Sequence, residues 1–479
     1  MKDMQIITKT GVKNEPVSKS GKDYNSLLFE KLYSKIALAL GVTPTPDLKK
    51  DSELMEIFVN QNPPRPSRVL APGLQQQTEP LLAIYNPGQY LPAQMDPVKN
   101  IDDRYTLSTL FNVVPQFNFV FSSAAATVSQ TYESVLNGKE TPIVSLTKEQ
   151  KEKLQENVTF YAEHEEEYRE YMYKYLDAMD AYDAAYATQI NGGAQVPRSL
   201  KLKLKDANNQ WIAHHKEGVE SAVAVIAQYE AFEPAAFWKK MADQYKDGTK
   251  QTSDGSDFQV VNLSPPYKSW FESAGWTKFT FDQKDMDNQQ KSDVIGVAGE
   301  LSGNFGMFKI SGGGDYHKDE HYTEVNETSL NFTCELMRVS LDRSWMNPLI
   351  YSCRAWRWTP AMTGVEISSG ADLKEHKAPS GVMTVIPTTV ILSRKMKVKG
   401  SFTATVVKEM NQEINANASV GFGPFAISGK FNMEHHEGSV KGSIASNEIL
   451  ADDVQIVALI CEILPKCPNP DNTLLWPSS

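Results

Sequence analysis

Residues 148–190 read KEQKEKLQENVTFYAEHEEEYREYMYKYLDAMDAYDAAYATQI and carry the clearest periodicity in the chain. Two rows of mostly apolar and aromatic residues each recur every seven positions, and the second row follows the first by four: Leu154, Tyr161, Tyr168, Tyr175 and Tyr182, then Val158, Glu165, Met172, Met179 and Tyr186. This 3-4 repeat is typical of a coiled-coil seam, with Glu165 as its one charged member. It predicts a helix roughly 60 Å long, at about 1.5 Å per residue.

The residues that follow predict a second helix running back along the first. Asn191-Gly192-Gly193 ends the long helix, and Pro197 stands where the next one would begin. The second helix has its own sevenfold row, with Ala222 and Tyr229 in a companion row: Leu204, Trp211, Gly218, Val225 and Phe232. Since the connecting loop is short, the two helices must be antiparallel, and we predict a helical hairpin with a shorter third helix over residues 148–248.

Beyond residue 258 the hydrophobic period changes to two, which indicates antiparallel β structure up to residue 465. Its longest alternation covers residues 401–422 and predicts either strands with a turn near 409–413 or one long bent hairpin. The predicted fold class is therefore α+β, with a mixed N-terminal region, a long antiparallel helical hairpin and a C-terminal antiparallel β-rich domain with an internal repeat. The predicted divisions are a flexible tail 1–22, a mixed region 23–147 with a proline-rich extended segment, the hairpin 148–248, the β domain 258–465 and a C-terminal tail 466–479.

An eight-residue motif occurs twice in the β-rich part. Residues 305–312 read FGMFKISG and residues 422–429 read FGPFAISG, so both copies fit Phe-Gly-x-Phe-x-Ile-Ser-Gly. Such self-similarity predicts two equivalent hairpins in one sheet system, as in a pseudo-symmetric sandwich. A structural repeat that binds no ligand is the favoured interpretation.

The composition indicates a globular protein of ordinary apolar content. The 479 residues are 41% hydrophobic and carry a net charge of −11, which argues against nucleic acid as a partner. Neither a secretory signal nor a transmembrane helix is visible, so we expect a cytoplasmic protein as synthesised, with non-classical export left open. We expect the cysteines to be free thiols, with a Cys461–Cys467 bridge as the alternative.

Known catalytic motifs are not found in the sequence, so we predict a non-enzymatic protein without a cofactor. The strongest metal candidates are His317, Asp319 and His321, because alternate residues of a strand share one face and imidazole with carboxylate suits zinc or iron. The repeat would bring His435 and His436 close to them in a composite site. A solvated hairpin tip is the interpretation that we favour over a metal site.

A second candidate functional site is a cluster rich in tryptophan and arginine. It fits either an interaction surface or a corner of the domain where tryptophan fills the hydrophobic core: Trp345, Arg354, Trp356, Arg357 and Trp358. Trp and Arg dominate binding hot spots. In the core interpretation, which we favour, Trp fills the interior and Arg ties loops to carboxylates such as Asp342. The acidic run from Glu163 to Glu170 is interpreted as a solvated helix face.

These patterns favour a non-catalytic self-assembling or protein-interaction protein, with another copy of itself or another protein as partner. The alternative is a membrane-acting, pore-forming protein that inserts amphipathic β-hairpins into lipid, from residues 294–330 and 400–432. Lys408 and Gln412 interrupt the apolar face of the second segment and argue against its insertion. A third hypothesis is an enzyme or binding protein with a site between the β domain and the Trp/Arg cluster.

Overall fold

The fold is given by a computed structural model, which describes residues 28, 31–33, 35–36, 40, 81–117, 121–143, 148–190, 197–229, 234–282, 285, 308–311, 316–317, 331–362, 364–370, 378–400, 402, 404–416, 419–433 and 436–477. Helices and antiparallel sheets both occur, which confirms the α+β class. The helices are α1 Ile101–Phe111, α2 Val128–Gly138, α3 Lys148–Ile190, α4 Arg198–Ala213, α5 Lys216–Tyr229, α6 Pro234–Gly248, α7 Leu349–Ser352 and α8 Ala404–Asn415.

The strands are β1 Leu81–Tyr90, β2 Val113–Pro115, β3 Ser123–Thr127, β4 Lys139–Glu140, β5 Thr249–Gln251, β6 Asp257–Gln259, β7 Asn262–Ser264, β8 Thr277–Phe281, β9 Phe308–Ser311, β10 Tyr316–His317, β11 Asn331–Asp342, β12 Arg357–Trp358, β13 Val385–Lys399, β14 Ser419–Phe422, β15 Phe425–Met433, β16 His436–Lys441, β17 Ser443–Ala445, β18 Glu448–Ala451 and β19 Gln455–Ile463. The main sheet has the order β1-β19-β13-β11-β7, with β8 paired to β11 and β18 paired to β13 and β17. All pairs in this sheet are antiparallel.

Two long connections leave the main sheet at the same end. Phe281 of β8 lies opposite Phe332 of β11, and Asn331 lies opposite Lys399 of β13. Lys399 in turn lies opposite Glu448 of β18. The segments 282–330 and 400–447, which are of nearly equal length, therefore both start and finish at this one end.

The two connections meet in a second sheet with the order β10-β9-β14-β15-β16. The first connection supplies β9 and β10, and the second supplies β14, β15 and β16. Central strand β14 pairs with β9 on one side and with β15 on the other. The described parts of both motif copies therefore lie in one sheet, while residues 305–307 and 312 fall outside the described residues.

Buried apolar residues join the second sheet to the main sheet. The rings of Phe332 and Phe425 lie 4.5 Å apart, and both side chains belong to one continuous hydrophobic core. The Tyr90 hydroxyl donates a hydrogen bond of 2.7 Å to the Ala426 carbonyl, and the buried Gln455 side chain bonds to both backbone groups of Ala426. These buried polar contacts fix the position of β15 over the main sheet.

The N-terminal region contributes directly to this core. Strand β1 lies within the predicted proline-rich extended segment and pairs with β19 as an outer strand of the main sheet. Leu28, Leu32 and Ile36 are buried in the same core. The core thus combines residues from the ranges 23–147 and 258–465, and the domain boundaries stay a prediction.

Helix α2 begins with a side-chain cap at Thr127. Thr127 accepts a hydrogen bond from the backbone N–H of Gln130, and the Gln130 side chain accepts one from the N–H of Thr127. This capping box satisfies two backbone donors that the first turn of a helix leaves unpaired. Helix α2 therefore begins at Val128.

The second long helix predicted from residue 197 onward is interrupted. It consists of α4 and α5, which are separated at His214 and His215, and His215 has a positive φ of 68°. Beyond the break, the described side chains that are buried in α5 are Val219, Ala222, Val223 and Ile226. The sevenfold row is therefore wrong at Gly218 and Val225, which are only partly buried, because it extrapolated a constant helical phase across the break. Ala222 of the companion row is buried, and Phe232 lies outside the described residues.

The predicted strands over residues 401–422 are wrong for their first half, which is helix α8. Met410 and Ile414 are buried and Val407 packs beside them, whereas Lys408 and Gln412 are exposed. Alternation and helical spacing both place Met410 with Ile414, so the sequence satisfied either period. The polar residues decide the outcome, since only a helix directs both Lys408 and Gln412 to solvent.

Substitutions in α8 distinguish the two periods. We expect Met410→Ala to lower the free energy of unfolding by about 2–5 kcal/mol, because it leaves a cavity in the core. The matched variant Gln412→Ala is expected to change it by less than about 0.5 kcal/mol, since Gln412 is exposed. Chemical denaturation of both variants makes the comparison, and equal losses at the two positions would support the strand instead.

Candidate functional site

The residues predicted to bind metal are only partly described. His317 lies in β10 and His436 in β16, at opposite edges of the second sheet, whereas Asp319, His321 and His435 fall outside the described residues. Four strand spacings separate β10 from β16, or about 19 Å. The composite site that joins His317 to His436 is therefore wrong, and the set His317, Asp319 and His321 stays a prediction.

His436 has a different partner. Its Nε2 lies 2.6 Å from Oδ1 of Asp103 in α1, and the Asp103 side chain is almost fully buried. Asp103 Oδ2 also accepts a hydrogen bond from the backbone N–H of Asp96. These contacts tie β16 to α1 and account for His436 without a metal.

The three tryptophans of the Trp/Arg cluster are buried within the chain. Trp345 and Trp356 have no exposed surface, and Trp358 is nearly buried. Each indole N–H donates to a backbone carbonyl: Trp345 to Val260, Trp356 to Ile350 and Trp358 to Val365. An interaction surface made of these rings is therefore wrong, and the core interpretation describes them.

The arginines of the cluster are anchored at its margin. Arg357 Nε donates to Glu140 at 2.6 Å, and its guanidinium lies 5.1 Å from the centre of the Trp476 ring. Arg354 is exposed and reaches the carbonyl of Asn469. Asp342, the carboxylate suggested as a partner for arginine in this region, lies beside Arg343.

Arg343 is buried at the end of β11. Its two terminal nitrogens donate to the carbonyls of Phe111 and Pro387, each at 2.7 Å, while its Nε has no hydrogen-bond partner among the described residues. Burial lowers the pKa of Arg343 to about 10, and the neighbouring Asp342 carboxylate acts in the opposite direction. The side chain is therefore a buried cation at neutral pH that links α1, β11 and β13.

A cleft separates helix α3 from residues 341–348, and charged side chains line it. Arg169 Nη2 donates to Glu165 at 2.8 Å, and Lys240 of α6 lies 3.5 Å from the other oxygen of Glu165. Although burial acts to lower it, the pKa of Arg169 is raised by Glu165, Tyr161 and Asp342. The charges of this cleft are therefore largely engaged with one another, and a site between the β domain and the Trp/Arg cluster stays a prediction.

A compact group of histidines and a carboxylate lies where α4 meets α5, and we call it the His/Glu cluster: His164, Glu167 and His215. One ligand atom from each residue lies within 4.8 Å of the others. The His164 and His215 rings are stacked, with centroids 3.8 Å apart. His214 Nδ1 lies 2.6 Å from Glu167 Oε1, and His215 Nε2 lies 3.9 Å from Glu167 Oε2.

The helix break makes this cluster. His214 ends α4, and its N–H donates to the carbonyls of Gln210 and Trp211. His215 then adopts a left-handed conformation, which costs about 1–2 kcal/mol for a residue with a Cβ. Consecutive histidines therefore both face α3, where His164 and Glu167 lie three residues apart on one helix face.

Sequence reasoning missed this cluster because it interpreted Glu163–Glu170 as a solvated helix face. The usable signal was His-x-x-Glu on a helix, together with a His-His pair on the partner helix. An unbroken heptad row would have placed the His-His pair at a different angle around its helix. Only the break at His214 and His215 brings the two signals together.

The cysteines offer no accessible thiol. All four are free and buried, so the alternative Cys461–Cys467 bridge does not form in this structure. Burial raises the pKa of Cys334, Cys461 and Cys467. A thiol that is buried and protonated is a poor nucleophile and a poor metal ligand.

Comparisons with protein-family models, with curated proteins and with solved structures found no match. Function is therefore argued from the geometry of the chain itself.

Variants of the Trp/Arg cluster test its role in the core. We expect Trp345→Ala to lower the free energy of unfolding by about 3–5 kcal/mol, because it empties a fully buried site. Arg354→Ala, in the same cluster but exposed, is expected to change it by less than about 0.5 kcal/mol. Thermal and chemical unfolding provide the measurement, and a small effect of Trp345→Ala would contradict the core assignment.

Proposed function

We propose that this chain is a non-catalytic protein that works by assembling with other copies of itself. The observation that carries the proposal is the outer edge of the second sheet. Among the described residues, β16 pairs only with β15, and its side chains alternate between partly buried and exposed. A strand with one unpaired row of backbone donors and acceptors is a template for pairing with another chain.

The form of this edge suits pairing between two copies. Strand β16 runs over six residues, and Glu437, Ser439 and Lys441 project on its exposed side. Glu437 and Lys441 have opposite charges at the two ends of this row. In an antiparallel pair of identical strands, each Glu437 would face Lys441 of the other copy, which favours the pairing.

Reversing the charge of this edge tests self-assembly. We expect Glu437→Lys with Ser439→Lys to raise the dissociation constant of the homo-oligomer about tenfold or more, because like charges would then oppose each other across the new ladder. Light scattering over a range of protein concentrations measures the mass of the assembly.

The control introduces the same change in net charge on α3, where Glu149 and Gln155 are exposed. Glu149→Lys with Gln155→Lys should leave the dissociation constant unchanged. A wild-type chain that remains a monomer at the highest soluble concentration would overturn the proposal. An equal effect of both double variants would assign the change to net charge and would reject β16 as the interface.

A second candidate is a membrane-acting, pore-forming function, and one specific observation favours it. The connections 282–330 and 400–447 leave the main sheet at the same end, and each carries one copy of the repeated motif. If both connections moved away from the core at that end, they would lengthen strands β8, β11, β13 and β18 in the same direction. No helix among the described residues has the length and apolar character needed to cross a bilayer.

This change would require the second connection to leave the core. Helix α8 would unfold, and β14 and β15 would expose side chains that are now buried, including Val420, Phe425 and Ile427. A lipid phase could accept these apolar side chains, whereas water could not. Membrane contact is therefore the condition under which we expect the rearrangement.

A disulfide between the two connections tests this candidate. Ser311 of β9 and Ser419 of β14 lie opposite each other in the ladder, at a spacing that a cystine can bridge with small shifts. We expect oxidised Ser311→Cys with Ser419→Cys to release no dye from liposomes and the reduced form to release it as the wild type does, because the bond holds the connections together.

The single variant Ser419→Cys, oxidised in the same way, controls for the added thiol. Equal dye release by the oxidised and reduced double variant would contradict the rearrangement. Absence of release by the wild type, over lipids of different charge and over a range of pH, would remove the second candidate and leave self-assembly untouched.

A further inference from the structure

We propose that His164, Glu167 and His215 form a binding site for a divalent transition metal, with Zn²⁺ as the ion that suits them best. The set offers two imidazole nitrogens and one carboxylate oxygen, all within 4.8 Å of one another. Two imidazoles with one carboxylate form a recurrent three-residue set in zinc sites, where a water molecule takes the fourth position.

The ligands come from both sides of the helical pair. His164 and Glu167 lie on α3, and His215 lies in the break between α4 and α5. Two ligands three residues apart on a helix hold a fixed spacing, and the third closes the site from the opposite helix. A bound ion would therefore connect α3 to the break.

Access to the site is open. The side chains of Glu167 and His215 are 41% and 40% exposed to solvent, so a hydrated ion can reach them. Within the part of the chain that the structure describes, the His164 ring makes contacts with the rings of Phe160 and His215 and no hydrogen bond. Its nitrogens are thus available to a metal.

Binding requires a small rearrangement of side chains. Zinc–ligand bonds of about 2.0–2.1 Å in a tetrahedron place the ligand atoms about 3.4 Å apart, so the 4.8 Å group must contract. The stacked rings of His164 and His215 must also turn so that one nitrogen of each points to the same place. Rotations about the side-chain bonds of partly exposed residues supply both changes without moving the helices.

His214 is assigned as a positioning residue. Its Nδ1 lies 2.6 Å from Glu167 Oε1, which leaves Oε2 on the side of His215. Its ring stacks on Tyr171 with centroids 3.7 Å apart and planes within 5°, so its orientation is held. A hydrogen bond from outside the ligand set that orients a liganding carboxylate is a regular part of metal sites.

The left-handed conformation of His215 is consistent with a ligand at this position. Glycine adopts a φ of 68° without strain, and it is the usual residue where a helix ends in this way. Histidine at this position carries backbone strain that glycine would avoid, and it places an imidazole ring facing Glu167. His215→Gly is therefore a useful variant, because it removes the ligand and relieves the backbone.

The test uses the full chain without a polyhistidine tag, stripped with a chelator and titrated with Zn²⁺ in a calorimeter. We expect one tight site per chain, and an added absorption band when Co²⁺ replaces Zn²⁺. His164→Gln and His215→Gly should each weaken binding more than about 100-fold, and His214→Gln about 10- to 100-fold. Circular dichroism and the unfolding temperature without metal check that each variant folds.

The matched control is His317→Gln with His321→Gln, which alters the metal candidates suggested by the sequence and should leave Zn²⁺ affinity unchanged. Saturating Zn²⁺ should raise the unfolding temperature of the wild type and of this control, and should not raise that of folded His215→Gly. Wild-type Zn²⁺ binding that survives in His164→Gln and His215→Gly overturns the site. So does a wild-type chain that binds no Zn²⁺, or a loss of binding confined to the control.

Discussion

The antiparallel pairing of β11 with β13 is the constraint on which the rest of the structure depends. It runs from Asn331 opposite Lys399 to Ser340 opposite Thr389, with one irregularity near Glu335. Both long connections leave the sheet at one end of this ladder, and at the other end the chain continues into the buried Arg343 and Trp345. The guanidinium of Arg343 bonds to carbonyls of α1 and β13, so the same ladder also positions the N-terminal half of the chain. A slip of β11 by one residue would turn its buried side chains to the opposite face of the sheet.

How much the sequence predicted depends on whether local pattern and tertiary contact agree. The rows of α3 were visible because Tyr161, Tyr168, Tyr175 and Tyr182 are all buried against α4 and α5, so the pattern reports a real contact. The capping box of α2 depends only on Thr127 and Gln130, which are neighbours in sequence. Residues 404–415 were assigned wrongly because both periods fitted their apolar residues. The Trp/Arg cluster was ambiguous for a different reason: only tertiary burial distinguishes a hot spot from a core, and sequence carries no direct measure of it.

The His/Glu cluster shows a third limit of sequence reasoning. His164 and Glu167 are separated from His215 by about fifty positions, and their approach depends on a helix break that leaves no glycine or proline as a signal. Helical spacing alone places Gly218 and Val225 on the buried row, whereas the structure buries Val219 and Val223. A single residue in a left-handed conformation therefore changes the packing of α5 and also assembles the candidate ligands.

The pairing of β1 with β19 has a consequence for how the chain folds during synthesis. Leu81 lies opposite Cys461, so β1 cannot pair until β19, far along the chain, has been synthesised. Until then the apolar row of β1, with Leu82 and Ile84, has no partner strand, and such contacts between distant parts of a chain form slowly. Nascent chains therefore carry β1 without its partner strand until β19 has left the ribosome. A chaperone that shields β1 during this interval would raise the yield of folded protein, and a stop codon ahead of β19 would produce a fragment prone to aggregate.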